Sequence, residues 1–468
     1  MMNQKKIITT LILISFFVSI FFSFQYLNKY DDYSKYKQNK HPMIKIAVEN
    51  HWGAANEIVN DFREGKSFLE SGLKFPDEYL PGKILALYYL LTGEELYENG
   101  LIKKDNGKFL YLALKTLFYY FAVYFFFIRS SKILNSKTCF FSTVFLIFLP
   151  DLIQYHSSFW NESLFFSFQI IFLTLVISNN FSIMNNVLIG IFFSTMYLIT
   201  QEFIFYFLIL IFYYLYAKIK LKVKFIKSIL SFFIGFSFLT SIQLYETNLK
   251  TGKDRLNINN IQSALYIYIV PSIISEKKNI SVQDAKEFLR QQSIEWADLN
   301  NIKYEKNSNF ILKIPSDNIN DKVELSNYML KKSIITILSH PIITSRLFLR
   351  STAHLMVLNP FYIKYFYQYN GKGEFLKTQT HQNLIPVRIV YTIIIYVVIF
   401  FGFIKSRKSI NDELNLLLIL SILYVILIGG WLGIPRYFTP ALIFMSIYFG
   451  IFFETKNFNL LKKDKTKI

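Results

Sequence analysis

The sequence predicts an all-α, polytopic integral membrane protein, and three observations carry that prediction. Of 468 residues, 53% are hydrophobic and 18% aromatic, with 50 Phe and 32 Tyr; a soluble domain of this size cannot bury so much apolar surface. The apolar residues recur in runs of about 17–20 with almost no charge, the length that crosses roughly 30 Å of hydrocarbon at about 1.5 Å per residue. The net charge of +19 sits largely in short Lys and Arg clusters between those runs. Such clusters are topology signals and not a nucleic-acid surface.

Ten spans can be drawn. The first is the run Ile7 to Phe24, preceded by Lys5 and Lys6. It has no small-x-small cleavage site, which predicts a retained anchor and not a removed signal peptide. The others fall at about 109–128, 138–156, 162–178, 183–200, 202–217, 227–244, 387–404, 414–430 and 438–453. With the N-terminus in the cytoplasm, every short basic cluster lies on one side: Arg129, Lys132 and Lys137; Lys218, Lys220, Lys222, Lys224 and Lys227; Lys405, Arg407 and Lys408; and Lys462, Lys463, Lys465 and Lys467. That is the sorting the positive-inside rule requires.

The chain then divides into five regions: an anchor (1–24), a first extracytoplasmic loop (25–108), spans two to seven (109–244), a large extracytoplasmic segment (245–386), and spans eight to ten with a basic cytoplasmic tail (387–468). Only the two outer segments have room for a water-facing site. In the second of them, Ser281 followed by Asp284 predicts a capped helix running through Phe288, Leu289 and Ile294. A further periodic stretch, Val323 to Leu358, is broken at His340-Pro341. The lone Cys139 rules out an intramolecular disulfide and a cysteine-based zinc site. No Gly-rich phosphate loop, dinucleotide fingerprint or heptad array occurs.

Four segments carry residues suited to chemistry. The first outer loop runs from Glu49 through Glu57, Asp61 and Gly65, then from Phe75-Pro-Asp77-Glu78 through Lys83 to an aromatic stretch ending at Gly93. Tyr155-His156-Ser-Ser-Phe-Trp160-Asn-Glu162 precedes the fourth span, Ser339-His340-Pro341 opens an apolar helix, and Ile434-Pro435-Arg436-Tyr437 with Pro440 precedes the last span. These four segments, in this order, resemble the GT-C glycosyltransferases, the superfamily that includes protein O-mannosyltransferases and aminoarabinose transferases. Its first loop has an acidic residue after the first span, an amphipathic helix closing on Gly, and a Pro-bearing segment leading into an aromatic-rich helix. Many members carry Asp, often Asp-Glu, where this chain has Glu49-Asn50-His51.

The resemblance implies transfer of a sugar from a polyprenyl-phosphate-linked donor to an extracytoplasmic glycan, lipid or protein, in a bilayer and without nucleic acid. That expectation places the chain as a multi-pass protein of a bacterial inner membrane. Such a reaction needs a base to take the acceptor proton as the anomeric bond breaks, and positive or metal charge for the departing phosphate. Glu49 fits the base, with Asp77, Glu78 and Glu162 as further catalytic carboxylates. Lys83, His156, Arg436 and Tyr437 fit the phosphate side, where Arg makes the best bidentate contact. Oxygen-ligand metal sites have no fixed spacing, so a divalent metal stays open as a cofactor.

Plainer roles compete. Asp77 and Glu78 can begin a helix, Glu162 can cap one, Arg436 can snorkel to headgroups, and Asp31-Asp32 and Glu202 are rival acids. An O-antigen-type polymerase or ligase shares about ten spans and large outer loops, but concentrates its essential Arg and His late in the chain and needs no acidic first loop. A transporter predicts internal repeats and polar residues in broken helices; neither is evident, and charges are nearly absent from the spans after the first loop.

The topology has a direct test. Cysteines introduced at Ser67 and Ser308 are expected to react with a membrane-impermeant maleimide in intact cells, and protection of both until lysis would invert the assignment.

Overall fold

The computed structural model describes residues 2–35, 53–71, 79–93, 97–98, 101–102, 106–153, 155–156, 161–221, 225–251, 265–304, 319–358, 367–369, 375–377, 385–430 and 437–454. Its helices are α1 (Met2–Lys35), α2 (Gly53–Arg63), α3 (Tyr79–Thr92), α4 (Asn106–Ser130), α5 (Ser136–Phe148), α6 (Pro150–Ile153), α7 (Glu162–Ile177), α8 (Ile183–Ile199) and α9 (Tyr206–Leu221), the last preceded by a 3₁₀ turn over Gln201–Phe205. Then come α10 (Phe225–Thr251), a short π-helical turn over Leu265–Ile269, α11 (Val270–Lys278), α12 (Val282–Leu299), α13 (Ile319–Ser339), α14 (Pro341–Leu355), α15 (Ile385–Ser409), α16 (Asp412–Gly430) and α17 (Thr439–Phe452). Two small antiparallel pairs complete it, Tyr97–Glu98 with Leu101–Ile102 and Tyr367–Tyr369 with Phe375–Lys377. The chain is an all-α polytopic membrane protein.

Among the described residues, six helices are long and apolar enough to cross a membrane, within α1, α4, the 3₁₀ turn with α9, α10, α15 and α16. The peripheral α15 has only 11% of its most apolar window buried, against 56% for α4. Its exposed Ile393, Ile394 and Phe400 therefore face lipid, since water would not tolerate that stripe.

Among the described residues five further apolar helices are shorter: Leu80–Thr92 within α3, α5 with 13 residues, α7 with 16, α8 with 17 and α17 with 14. At 1.5 Å per residue they reach only about 20–25 Å. For α5 the shortfall lies on the face opposite the basic clusters. Its starting end is level with the other inner ends: Thr138 Oγ1 donates to Glu454 at 3.2 Å, Phe141 stacks on Phe453 at 4.6 Å, and the Lys405 ammonium donates to the Phe452 carbonyl at 2.8 Å. Its finishing end is bonded to α1 at Ser15, whose hydroxyl donates to the Ile147 carbonyl at 3.0 Å, and α1 continues to Lys35.

The expected single span over 138–156 is thus corrected to α5, a break at Leu149, and the one-turn α6. Pro150 causes the break. It pushes the preceding residue out of the helical region, and Leu149 sits at φ −69°, ψ 113°.

Lipid gives helices no hydrophobic reason to associate, so close backbone approach matters. It is close between α8 and α10, where Gly190 and Gly235 face each other's helix. A Cβ at Gly190 would overlap the Phe232 carbonyl oxygen, and one at Gly235 the Val187 carbonyl oxygen. Rings seal the contact, with Phe193 5.6 Å from both Phe232 and Phe236.

Two smaller clusters stand apart from the bundle core. In one, Ala55, Ile58 and Val59 of α2 pack on Leu85, Ala86 and Tyr89 of α3 with Tyr111 and Leu112 of α4. Gly65 and Gly93 follow α2 and α3 at φ 94° and 70°, the left-handed geometry that ends helices. The other cluster joins Tyr266, α11, α12 and α13. Ser281 caps α12 as expected, accepting from the Asp284 N–H at 3.0 Å, and α14 begins at Pro341 with His340 as its N-cap residue.

Gly235→Leu is expected to destabilise the protein by about 2 kcal/mol or more through overpacking at a backbone contact. Thermal unfolding in detergent reads this directly, and an unchanged melting curve would separate the two helices.

Candidate functional site

Because α5 stops short, the polar turn between α5 and α7 lies below the level to which α1 continues. Irregular backbone at that depth is tolerated only when packed in protein or lining a cavity. Here it packs against α4. His156 is fully buried, its ring centroid 4.0 Å from Tyr119 and 5.9 Å from Tyr120. Its Nδ1 shares a 2.9 Å hydrogen bond with Ser163 Oγ in the first turn of α7. Its Nε2 is buried without a hydrogen-bond partner among the described residues.

The tyrosines beside it are fixed in turn. Tyr119 donates to the Leu146 carbonyl at 2.7 Å, and the Tyr120 hydroxyl bonds Ser15 and Ser19 of α1 at 2.5 and 3.0 Å. One turn before Tyr119, the buried Lys115 holds its ammonium 5.7 Å from the Tyr111 ring, within electrostatic range of His156. Asp151, 4% exposed on α6, acts electrostatically on Tyr391 and Tyr396 of α15. Glu162 is half-buried in the first turn of α7.

The other short helices end in the same neighbourhood. Phe165 of α7 meets Phe203 of the 3₁₀ turn at 5.4 Å, and Gln169 donates to the Pro440 carbonyl at 2.8 Å. The Tyr424 hydroxyl donates to the Glu202 carbonyl. Tyr437 is half-buried beside Gly429, and Phe438 meets Tyr396 edge-on at 6.2 Å. The structure therefore brings the starts of α7 and α17 and the 3₁₀ turn before α9 into one recessed layer.

Of the sequence-predicted residues, His156, Glu162 and Tyr437 belong to this layer. Lys83 lies elsewhere: its ammonium, on α3, pairs with Glu246 of α10 at 2.8 Å, with the two side chains 9% and 3% exposed. It also donates to the Ser71 carbonyl at 3.2 Å and to that of Phe68. Its charge therefore pins α3 to α10. Glu49, Asp77, Glu78 and Arg436 fall outside the described residues, and Asp31 and Asp32 lie in the last turns of α1. Among the described residues no three His, Cys, Asp or Glu side chains gather as a metal site.

Three charged residues escaped the sequence reading, namely Lys115, Asp151 and Glu246. The signal was present, because Lys115 and Asp151 are single charges inside apolar runs, where an ionisable group is costly and marks function by default.

The fold and the recess define a class, a multi-pass integral membrane protein with buried ionisable groups gathered near one face. No protein-family model matches the chain, and no curated protein does. Among solved structures it is similar to the oligosaccharyltransferase AglB of Archaeoglobus fulgidus, in complex with an inhibitory peptide and a dolichol-phosphate, at 10% identity and a TM-score of 0.41. The match covers 94% of this chain and 50% of that one, so this chain spans half the length of the archaeal protein.

Lys83→Met removes the counter-ion of the buried Glu246 and is expected to cost about 3–5 kcal/mol, whereas replacing both partners by Met recovers most of the loss. Thermal unfolding of the two single variants and the double variant checks it. A double variant no more stable than Lys83→Met would dissolve the pair.

Proposed function

We propose that this protein is a membrane glycosyltransferase that moves a sugar from a polyprenyl-phosphate donor to a glycan, lipid or protein acceptor on the extracytoplasmic face. The observation that supports it best is the recessed layer holding Lys115, Asp151, His156 and Glu162, on the face opposite the inner ends of α4, α5 and α15. A lipid-linked phosphate reaches such a layer from the bilayer side, while a hydroxyl or amine acceptor reaches it from water. Nucleotide sugars are generally not supplied outside, and a lipid carrier removes that difficulty.

In this reading an acidic residue of the first loop, Glu49 with Asp77 or Glu78 as its partner, takes the acceptor proton while the acceptor oxygen or nitrogen bonds to the anomeric carbon. The bond from that carbon to the phosphate oxygen breaks, and its electron pair leaves with the polyprenyl phosphate. His156 and Arg436 meet the developing charge, beside Tyr437. Lys83 enters as a positioning residue, since its ammonium already serves Glu246 and two carbonyls. A divalent metal held by the first-loop carboxylates would supply additional charge to the same phosphate.

Two outcomes test the proposal. Glu49→Gln is expected to lower transfer by on the order of 10²–10⁴-fold in protein that stays folded and inserted, the usual loss for a general base; near-normal turnover would move the role to Asp77, Glu78 or the Asp31-Asp32 pair. Purified protein in liposomes is expected to turn over a polyprenyl-phosphate sugar with candidate acceptors. Turnover with the nucleotide sugar alone would refute the donor.

A further inference from the structure

At the opposite face, among the basic inner ends, the turns between α4 and α5, α7 and α8, and α15 and α16 enclose a cleft of about 360 Å³. Its lining has an apolar part, with Ile133, Leu134, Ile177 and Leu414, and a polar part that carries both signs of charge. Arg407 and Lys408 are exposed at its rim, and neither makes an ion pair among the described residues. Glu413, 7% exposed, faces the same cleft with no hydrogen bond or ion pair among the described residues.

The wall around Glu413 is firm. Phe181 stacks on Tyr213 with ring centroids 6.0 Å apart, and its backbone is held at φ 55°, a left-handed value that a bulky residue adopts only when its surroundings impose it. The Asn179 side chain accepts from the Phe181 N–H at 2.8 Å and so fixes that turn.

Glu413 stands in the first turn of α16 with its side chain lining the cleft, so an ammonium in the cleft can pair with it, and the exposed Arg407 and Lys408 at the rim can take an anion of the same ligand. A simple anion would be repelled by Glu413, and a simple amine by Arg407 and Lys408. A ligand carrying phosphate and ammonium a few bonds apart satisfies all three, and the apolar side of the cleft suits an acyl chain.

We propose that this cleft binds an aminophospholipid of the adjacent leaflet, its phosphate against Arg407 and Lys408, its primary ammonium against Glu413, and one acyl chain along Ile133 and Leu134. A primary ammonium can donate hydrogen bonds to the carboxylate, which a trimethylammonium headgroup cannot.

The test uses the full-length protein in detergent doped with phosphatidylethanolamine, phosphatidylcholine or phosphatidylglycerol. Lipid retention is counted by native mass spectrometry, and the bound lipid is read as a ratio so that overall stability does not enter. Phosphatidylethanolamine is expected to be retained about tenfold over the other two, the scale of one charge-assisted contact. Glu413→Gln is expected to erase its advantage over phosphatidylglycerol, while Arg407→Gln with Lys408→Gln at the exposed rim lowers retention of all three. Equal retention of the three lipids by the native chain, or an unchanged ratio in Glu413→Gln, would overturn the proposal. Soluble O-phosphoethanolamine displacing the lipid at equal concentration would show that the headgroup alone is the ligand and overturn the lipid assignment.

Discussion

Hydrocarbon about 30 Å thick demands that every backbone group within it be hydrogen-bonded inside the protein, and α5, at 13 residues, is too short to meet that demand alone. The structure answers by sinking the chain after α5 into the bundle. Pro150 ends the helix early, the turn carrying Asp151 and His156 folds against α4, and the hydroxyls of Tyr119, Tyr120 and Ser15 tie the loose end to its neighbours. The same shortness that creates a packing problem brings ionisable side chains below the level of the long helices. A candidate reaction centre and the principal irregularity of the fold therefore have one cause.

The rest of the bundle supports that recess. Apolar burial separates no helix pair from lipid, so α8 and α10 rely on facing glycines and on rings that interlock once the backbones touch. Helices α2 and α3 stand apart from the bundle core. They carry their own small core, and the buried pair of Lys83 with Glu246 fastens α3 to α10. A hydrophobic contact there could slide, whereas an ion pair at 2.8 Å with two carbonyls on the same ammonium has one register. Helix α3 is thereby held in a fixed relation to α10.

The two faces of the protein differ in electrostatic design. At one, a histidine, a lysine and two carboxylates share a layer wrapped in tyrosines; at the other, exposed cations ring a cleft with one buried carboxylate. The positive-inside sorting explains why cations crowd the second face. The acid among them, Glu413, stands in the first turn of α16, where the helix dipole favours a carboxylate, and the proposed zwitterionic headgroup would meet both signs of charge.

Most of the architecture was legible in the sequence, because a helix that must cross lipid records its length as an uncharged run. The Ser281 cap and the break at His340-Pro341 were legible for a similar reason, since both are dictated by residues within one turn of each other. The site was legible only in part. His156, Glu162 and Tyr437 could be named from their turns, but the sequence could not show that His156 shares its layer with Lys115, 41 positions earlier, or that Lys83 spends its charge on Glu246. Drawing 138–156 as one span hid Asp151, because hydropathy averages over a window and a single carboxylate after a proline barely lowers the mean. Spans and caps are local or additive properties, and the sequence determines them. Which charges meet inside the bundle depends on helix ends that stop at different depths, and only the tertiary structure decided that.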